Sequence, residues 1–199
     1  MIGMVGEVDL LAQADGLKLV QVAQVALKQF VQQGIVLQLN LGQLPTAVQQ
    51  PGATFVTLRH QGRLRGCIGN VVEERPLAES VIHNTVAAAS RDPRFPPVNG
   101  RELAHVQVEV TVLTPLRRLP YKDYADLLAK VRPGVDGVML KWGHKRGVLL
   151  PQVWDRVEQS ADFLAAIAQK ANIPQAKLRS QPPEVEVLIF QAQHFEKSD

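Results

Sequence analysis

Cys67 is the only cysteine in a chain of 199 residues. It sits in the run Leu64-Arg65-Gly66-Cys67-Ile68-Gly69, two residues after an arginine and between two glycines. The thiolate is the nucleophilic form of cysteine, and a neighbouring guanidinium favours it. Read as a strand, the run places Arg63, Arg65 and Cys67 on one face and Leu64 and Ile68 on the other. Arg65 and Cys67 then lie ~7 Å apart at Cα. The flanking glycines leave room for another backbone or a ligand to come close. Further on, Val106, Val108, Val110 and Val112 alternate with Gln107, Glu109, Thr111 and Leu113, which puts Glu109 on the polar face of a half-buried strand. In a catalytic reading Cys67 is nucleophile or thiol carrier, Arg65 its activator or oxyanion contact, and Glu109 the acid or base. In a structural reading Cys67 is a small packed residue and Arg65 pairs with Glu109. The residues alone leave both open.

Four further residues are candidate ligand contacts. The loop Asp92-Pro93-Arg94-Phe95 is stiffened by proline, which lowers the entropy cost of presenting Asp92 and Arg94. Arg94 suits a phosphate or carboxylate, and an internal Asp92-to-Arg94 clasp is the alternative. Gln152, in Leu150-Pro151-Gln152-Val153-Trp154, is placed to read a polar group, with Trp154 as core. Asn84 is either a contact or a buried hydrogen-bonding residue.

No metal motif, Walker-type loop, GxGxxG loop or GxSxG elbow occurs, so neither a metal nor a cofactor is expected. None of His60, His83, His105, His144 and His194 stands in sequence as a partner for the thiol, so a papain-like dyad is weakly supported. The net charge of +3 does not demand a nucleic-acid or membrane partner. A single cysteine forms no internal disulfide, no secretory leader is evident and no apolar stretch reaches ~20 residues. A soluble, cytoplasmic protein is the expectation.

The elements that must position these residues follow from periodicity. Residues 16–33 carry apolar side chains at helical spacing, with Asp15 as cap and Gly34 as stop. Residues 54–59 and 63–69 read as strands joined across Gln61-Gly62. Pro76 opens a helix running toward Ser90, and a proline-rich loop follows. Residues 121–131 read as a helix, and 136–142 and 148–150 as a second hairpin around Gly143–Gly147. Phe163 to Ala168 mark a helix, and Val185, Val187 and Ile189 a late strand with distant partners. Helices and strands mix without regular βαβ alternation, which predicts an α+β fold with a mostly antiparallel sheet.

Taken together, Leu64–Gly69, Ala87-Ala88-Ala89-Ser90-Arg91-Asp92-Pro93-Arg94-Phe95, Val108-Glu109-Val110, Asp136-Gly137-Val138 and Leu150–Trp154 resemble the blocks of the AMMECR family, in the family's order. Asn84-Thr85 departs from the Asn-Ala that the family favours. The resemblance spans residues 15–196, an AMMECR domain of two lobes, with 1–14 as an N-terminal extension. It implies a larger sheet domain, a smaller lobe, and a cleft between them lined by the signature. It also implies two partners, a Memo-like protein and a radical SAM protein, since similar short bacterial and archaeal proteins form the AmmeMemoRadiSam system with them. An RNA-related or base-modifying role is implied by fold analogy, with RNA or a nucleotide as the corresponding partner.

Overall fold

The computed structural model describes residues 10–72 and 74–197. Residues 1–9 of the expected N-terminal extension lie outside them. In chain order the elements are α1 (Gln13–Gln33), α2 (Thr46–Gln49), β1 (Thr54–His60), β2 (Arg63–Gly69), α3 (Leu77–Ser90), β3 (Val106–Leu113), β4 (Arg117–Arg118) and α4 (Tyr124–Lys130). Then come β5 (Gly137–Trp142), β6 (Lys145–Leu149), α5 (Ser160–Lys170), α6 (Gln175–Leu178), β7 (Glu186–Phe190) and β8 (Ala192–Glu196). They divide into two compact units, residues 10–114 with 193–197, and residues 115–192. The fold is α+β, and each unit has its own four-stranded sheet.

In the first unit the sheet order is β2-β1-β3-β8, with β1 antiparallel to both β2 and β3. Val56, Leu58, Val108, Val110 and Val112 alternate onto one face and bury against Leu19, Ala23 and Leu27 of α1 and Ala78, Val81 and Ile82 of α3. A fully buried Leu or Val of this kind contributes about 1.5–3 kcal/mol, so the valine alternation decides which face the helices cover. Helix α1 begins at Gln13, and Asp15 lies inside its first turn rather than capping it, where its charge still suits the helix N-terminus. Gly34 ends it, donating to Phe30 O at 2.8 Å. Gln61 and Gly62, at φ 52° and 74°, form the tight turn joining β1 to β2; primed turns of this kind match strand twist.

The second unit has the sheet order β4-β7-β5-β6, all antiparallel. The late strand expected from Val185–Ile189 therefore finds its partners far back in the chain, at β4 and β5. Val138, Leu140, Val187 and Ile189 bury against Leu127, Phe163, Leu164 and Ile167. Trp154 stacks on Phe163 with ring centroids 3.8 Å apart and donates its indole N–H to Asp136 O at 2.7 Å. Asp136 itself is clasped by Arg132, with Nη2 to Oδ1 at 2.6 Å.

Candidate functional site

The signature forms β2, an edge strand, and its parity breaks in the middle. Leu58 pairs with Gly66 but Arg59 pairs with Leu64, so Arg65 faces no partner residue and is a β-bulge. The bulge shifts alternation by one residue, and it corrects the expected faces. Leu64 lands on the face of Arg59 and is 39% exposed instead of joining the core. Ile68, beyond the bulge, does pack against the core. Gly66 meets the helix layer: a Cβ there would lie 2.3 Å from the carbonyl oxygen of Ala88 on α3. The close neighbour that this glycine admits is another backbone.

Arg65 does not reach Glu109. Its Nε and Nη2 donate to Glu102 Oε2 and Oε1, both at 2.8 Å, and Nη2 also donates to Pro97 O at 3.2 Å. This is a two-pronged guanidinium–carboxylate pair with both side chains largely buried. It holds Glu102 below the usual carboxylate range, chiefly through the hydrogen bond from Arg65. The expected pairing of Arg65 with Glu109 is replaced by this ion pair with Glu102. Glu102 lies 37 residues away and gives no local signal of its role.

Asp92 and Arg94 make the clasp. Arg94 donates through Nε to Asp92 Oδ1 at 2.9 Å and through Nη2 to Oδ2 at 2.7 Å. The clasp also grips β2: the Cys67 amide donates to Asp92 Oδ2 at 2.9 Å, and Arg94 Nη2 donates to Cys67 O at 3.3 Å. Both backbone groups of Cys67 on the open edge of the sheet are thereby satisfied, which blunts an edge strand against stray pairing. The Asp92 side chain is 2% exposed and that of Arg94 54%. Hydrogen bonding from Arg94 holds the Asp92 carboxyl well below the ordinary range, with the Cys67 amide assisting. Arg94, not Arg65, is thus the guanidinium fastened beside Cys67.

The Cys67 side chain points away from the helices, on the face of Thr57, and is half-buried. Thr57 Oγ1 donates to its Sγ at 3.4 Å. Thr57 pairs with Cys67 on one side and Glu109 on the other, so the three form a row across β2, β1 and β3. The row continues to β8, where His194 Nδ1 lies 3.1 Å from Glu109 Oε1 and 3.0 Å from Thr111 Oγ1. An ionised carboxylate only accepts, so Nδ1 carries the hydrogen shared with Glu109. That bond is the main cause of a Glu109 carboxyl held below its ordinary value, with Arg59 at 3.7 Å adding to it. Sequence reasoning set His194 aside as a partner for the thiol because it lies near the chain's end; the pairing order of the strands brings it beside Glu109, 85 residues away.

Asn84 is buried, with Nδ2 within 3.0 Å of Thr54 O, Thr54 Oγ1 and Asn70 Oδ1. It ties α3 to the start of β1 and the residue after β2. Gln152 is exposed, in the second unit, on the 3-10 turn Pro151–Arg156. Among the described residues no three His, Cys, Asp or Glu side chains are grouped to hold a metal ion. No helix among them is long and apolar enough to cross a membrane.

Comparison with known proteins identifies the family and the fold. A family model described as AMMECR1 matches residues 20–195. A protein of Methanothermobacter thermautotrophicus is 40% identical over 190 residues, covering 93% of this chain and 95% of its own. One from Thermofilum pendens is 35% identical over 200 residues, covering 93% and 91%. The crystal structure of PH0010 from Pyrococcus horikoshii, titled as an uncharacterized protein, superposes with a TM-score of 0.82 at 30% identity over 94% of both chains. With nearly its whole length matched in sequence and fold, the chain belongs to the AMMECR1 family.

Proposed function

We propose that the outer face of the sheet β2-β1-β3-β8 handles the substrate of a modification pathway, in the cytoplasm, together with Memo-like and radical SAM partners. Cys67 is its working group, as nucleophile or thiol carrier. One observation carries this reading: the sole thiol lies in a polar cross-strand row with Thr57, Glu109 and His194, while its backbone is locked from the edge by Asp92 and Arg94. Glu109 and His194 supply a proton-handling pair on the same face, and Arg94 a cation beside the thiol. The test is the pathway reconstituted from the three proteins with Cys67→Ser in place of the native chain. Loss of turnover with intact binding of the partners is expected; unchanged turnover removes Cys67 from the chemistry.

A second reading is favoured by a specific observation. The sole hydrogen bond to Sγ among the described residues comes from the Thr57 hydroxyl, which is not a base at neutral pH. A binding module for a peptide, nucleotide or RNA needs no base, and there Cys67→Ala preserves binding while Arg94→Ala abolishes it. Nucleic-acid binding would weaken steeply with salt.

A further inference from the structure

The charge of the chain is unevenly divided between its units. Residues 115–192 hold 12 Lys and Arg against 8 Asp and Glu, and the remaining residues hold 10 against 11. Within the second unit the excess comes from two runs that contain no acidic residue, 137–154 and 163–183, which carry six of its Lys and Arg. The fold brings the two runs together. Lys145, on β6, donates to Asn172 O at 2.5 Å, and Lys170, the last residue of α5, donates to Val148 O at 3.2 Å. Lys145 and Lys177 hold their ammonium groups 5.3 and 5.4 Å from the ring centroid of Trp142, and the Arg179 guanidinium lies 4.2 Å from that of Tyr124.

Strand alternation decides which of the six share a surface. Lys145 stands opposite Trp142, whose ring packs on the core that α5 covers, so it lies on the helix side with Lys170, Lys177 and Arg179. Lys141 and Arg146 turn to the other face, where Glu186 stands opposite Lys141, and are not part of this surface. Lys177 is paired with Glu184 at 2.8 Å, and among the described residues no carboxylate pairs with Lys145, Lys170 or Arg179. Backbone carbonyls and aromatic faces hold these cations in place without cancelling their charge. The exposed side chains of Gln169, Asn172 and Gln175 lie among them, and none of the large apolar residues that are exposed falls in either run. Stable membrane binding takes apolar groups that insert, and a protein interface takes an apolar centre. A nucleic acid needs neither, because its phosphates supply a sequence-independent attraction to Lys and Arg. We infer that this surface binds the phosphate backbone of a nucleic acid without reading its sequence. The inference does not rest on the reading of Cys67, which belongs to the other unit.

Fluorescence anisotropy of the full chain with a labelled oligouridylate and a labelled DNA duplex tests this, with vesicles of anionic phosphatidylglycerol as the competing polyanion. The expected result is binding of at least one nucleic acid, tenfold or more weaker at ~200 mM than at ~50 mM salt. The double variant Lys170→Gln, Arg179→Gln should bind at least fivefold more weakly and with a shallower salt dependence, while Lys28→Gln, on the exposed side of α1, binds as the wild type does. Lys170 and Arg179 are both exposed, circular dichroism confirms that the double variant folds, and the two single variants replace it if it does not. Absence of binding by both nucleic acids at ~50 mM salt overturns the inference. So does binding that salt does not weaken, binding unchanged in the variants of Lys170 and Arg179, or vesicles that bind more tightly than either nucleic acid.

Discussion

Alanine at Gly66 should destabilise the first unit, and alanine at Gly100 should not. At Gly66 the added Cβ would lie 2.3 Å from Ala88 O and 3.1 Å from Ala88 C, both backbone atoms of α3. No rotamer relieves such a contact, so β2 and α3 must separate by about an ångström, in a layer close-packed by Ile82, Ala88 and Ala89. Overpacking of this kind costs about 1–3 kcal/mol. The entropy that alanine removes from the unfolded chain returns about 0.4–1 kcal/mol, leaving a net loss centred at about 1.3 kcal/mol and at most about 2.6 kcal/mol. At Gly100 nothing lies within 4 Å and φ is not positive, so only the unfolded-state gain remains.

The assay needs a probe in the right unit. Both tryptophans and both tyrosines fall within residues 115–192, so their fluorescence reports on the second unit. Cys67, the single thiol, reports on the first. A fluorophore coupled to it follows the unfolding of the first unit against urea concentration, and the Gly66→Ala curve should shift to lower urea while Gly100→Ala matches or exceeds the wild type. Equal curves for Gly66→Ala and wild type would refute the packing account and return Gly66 to a role at an open ligand face.

Two other outcomes follow from the same geometry. Asp92 has its carboxyl held far below the unfolded value of ~3.9, so its stabilisation is complete above that value and lost as pH falls toward the folded one. Urea midpoints from pH 6 down to pH 3 should therefore fall less steeply for Asp92→Ala than for the wild type, and parallel slopes would show that the clasp contributes nothing. Arg65→Lys should lower stability by about 1–2 kcal/mol through loss of the two-pronged bond to Glu102 while leaving the alkylation rate of native Cys67 within about twofold. A large change in that rate, with stability intact, would mean that Arg65 acts on the thiol after all.

What the sequence disclosed and what it withheld divide along contact range. The valine alternation of β3, the Gln61-Gly62 turn and the helical spacing of Leu19, Ala23 and Leu27 are decided by neighbours within a few residues, and each produced the expected element. The bulge at Arg65 is not local. It exists because β1 pairs Leu58 with Gly66 while Glu102, far along the chain, draws the guanidinium aside. Parity reasoning from a single strand has no access to that, and so it placed Leu64 inside. His194 is the same case on the other edge: its place beside Glu109 depends on β8 closing the sheet against β3, a pairing with no signature in either strand. The run Leu64–Gly69 therefore concentrates two jobs in one motif. Gly66 admits α3, Arg65 anchors the loop through Glu102 and Pro97, and the Cys67 backbone fastens to Asp92 and Arg94, all of which hold an edge strand in place. Set against those, the Cys67 sulfur is the group whose position packing leaves unexplained, since it faces away from the helices into a row of polar side chains. A motif that looks like a catalytic cluster is then mostly a mounting, and the chemistry to be sought is what a rigidly mounted thiol does.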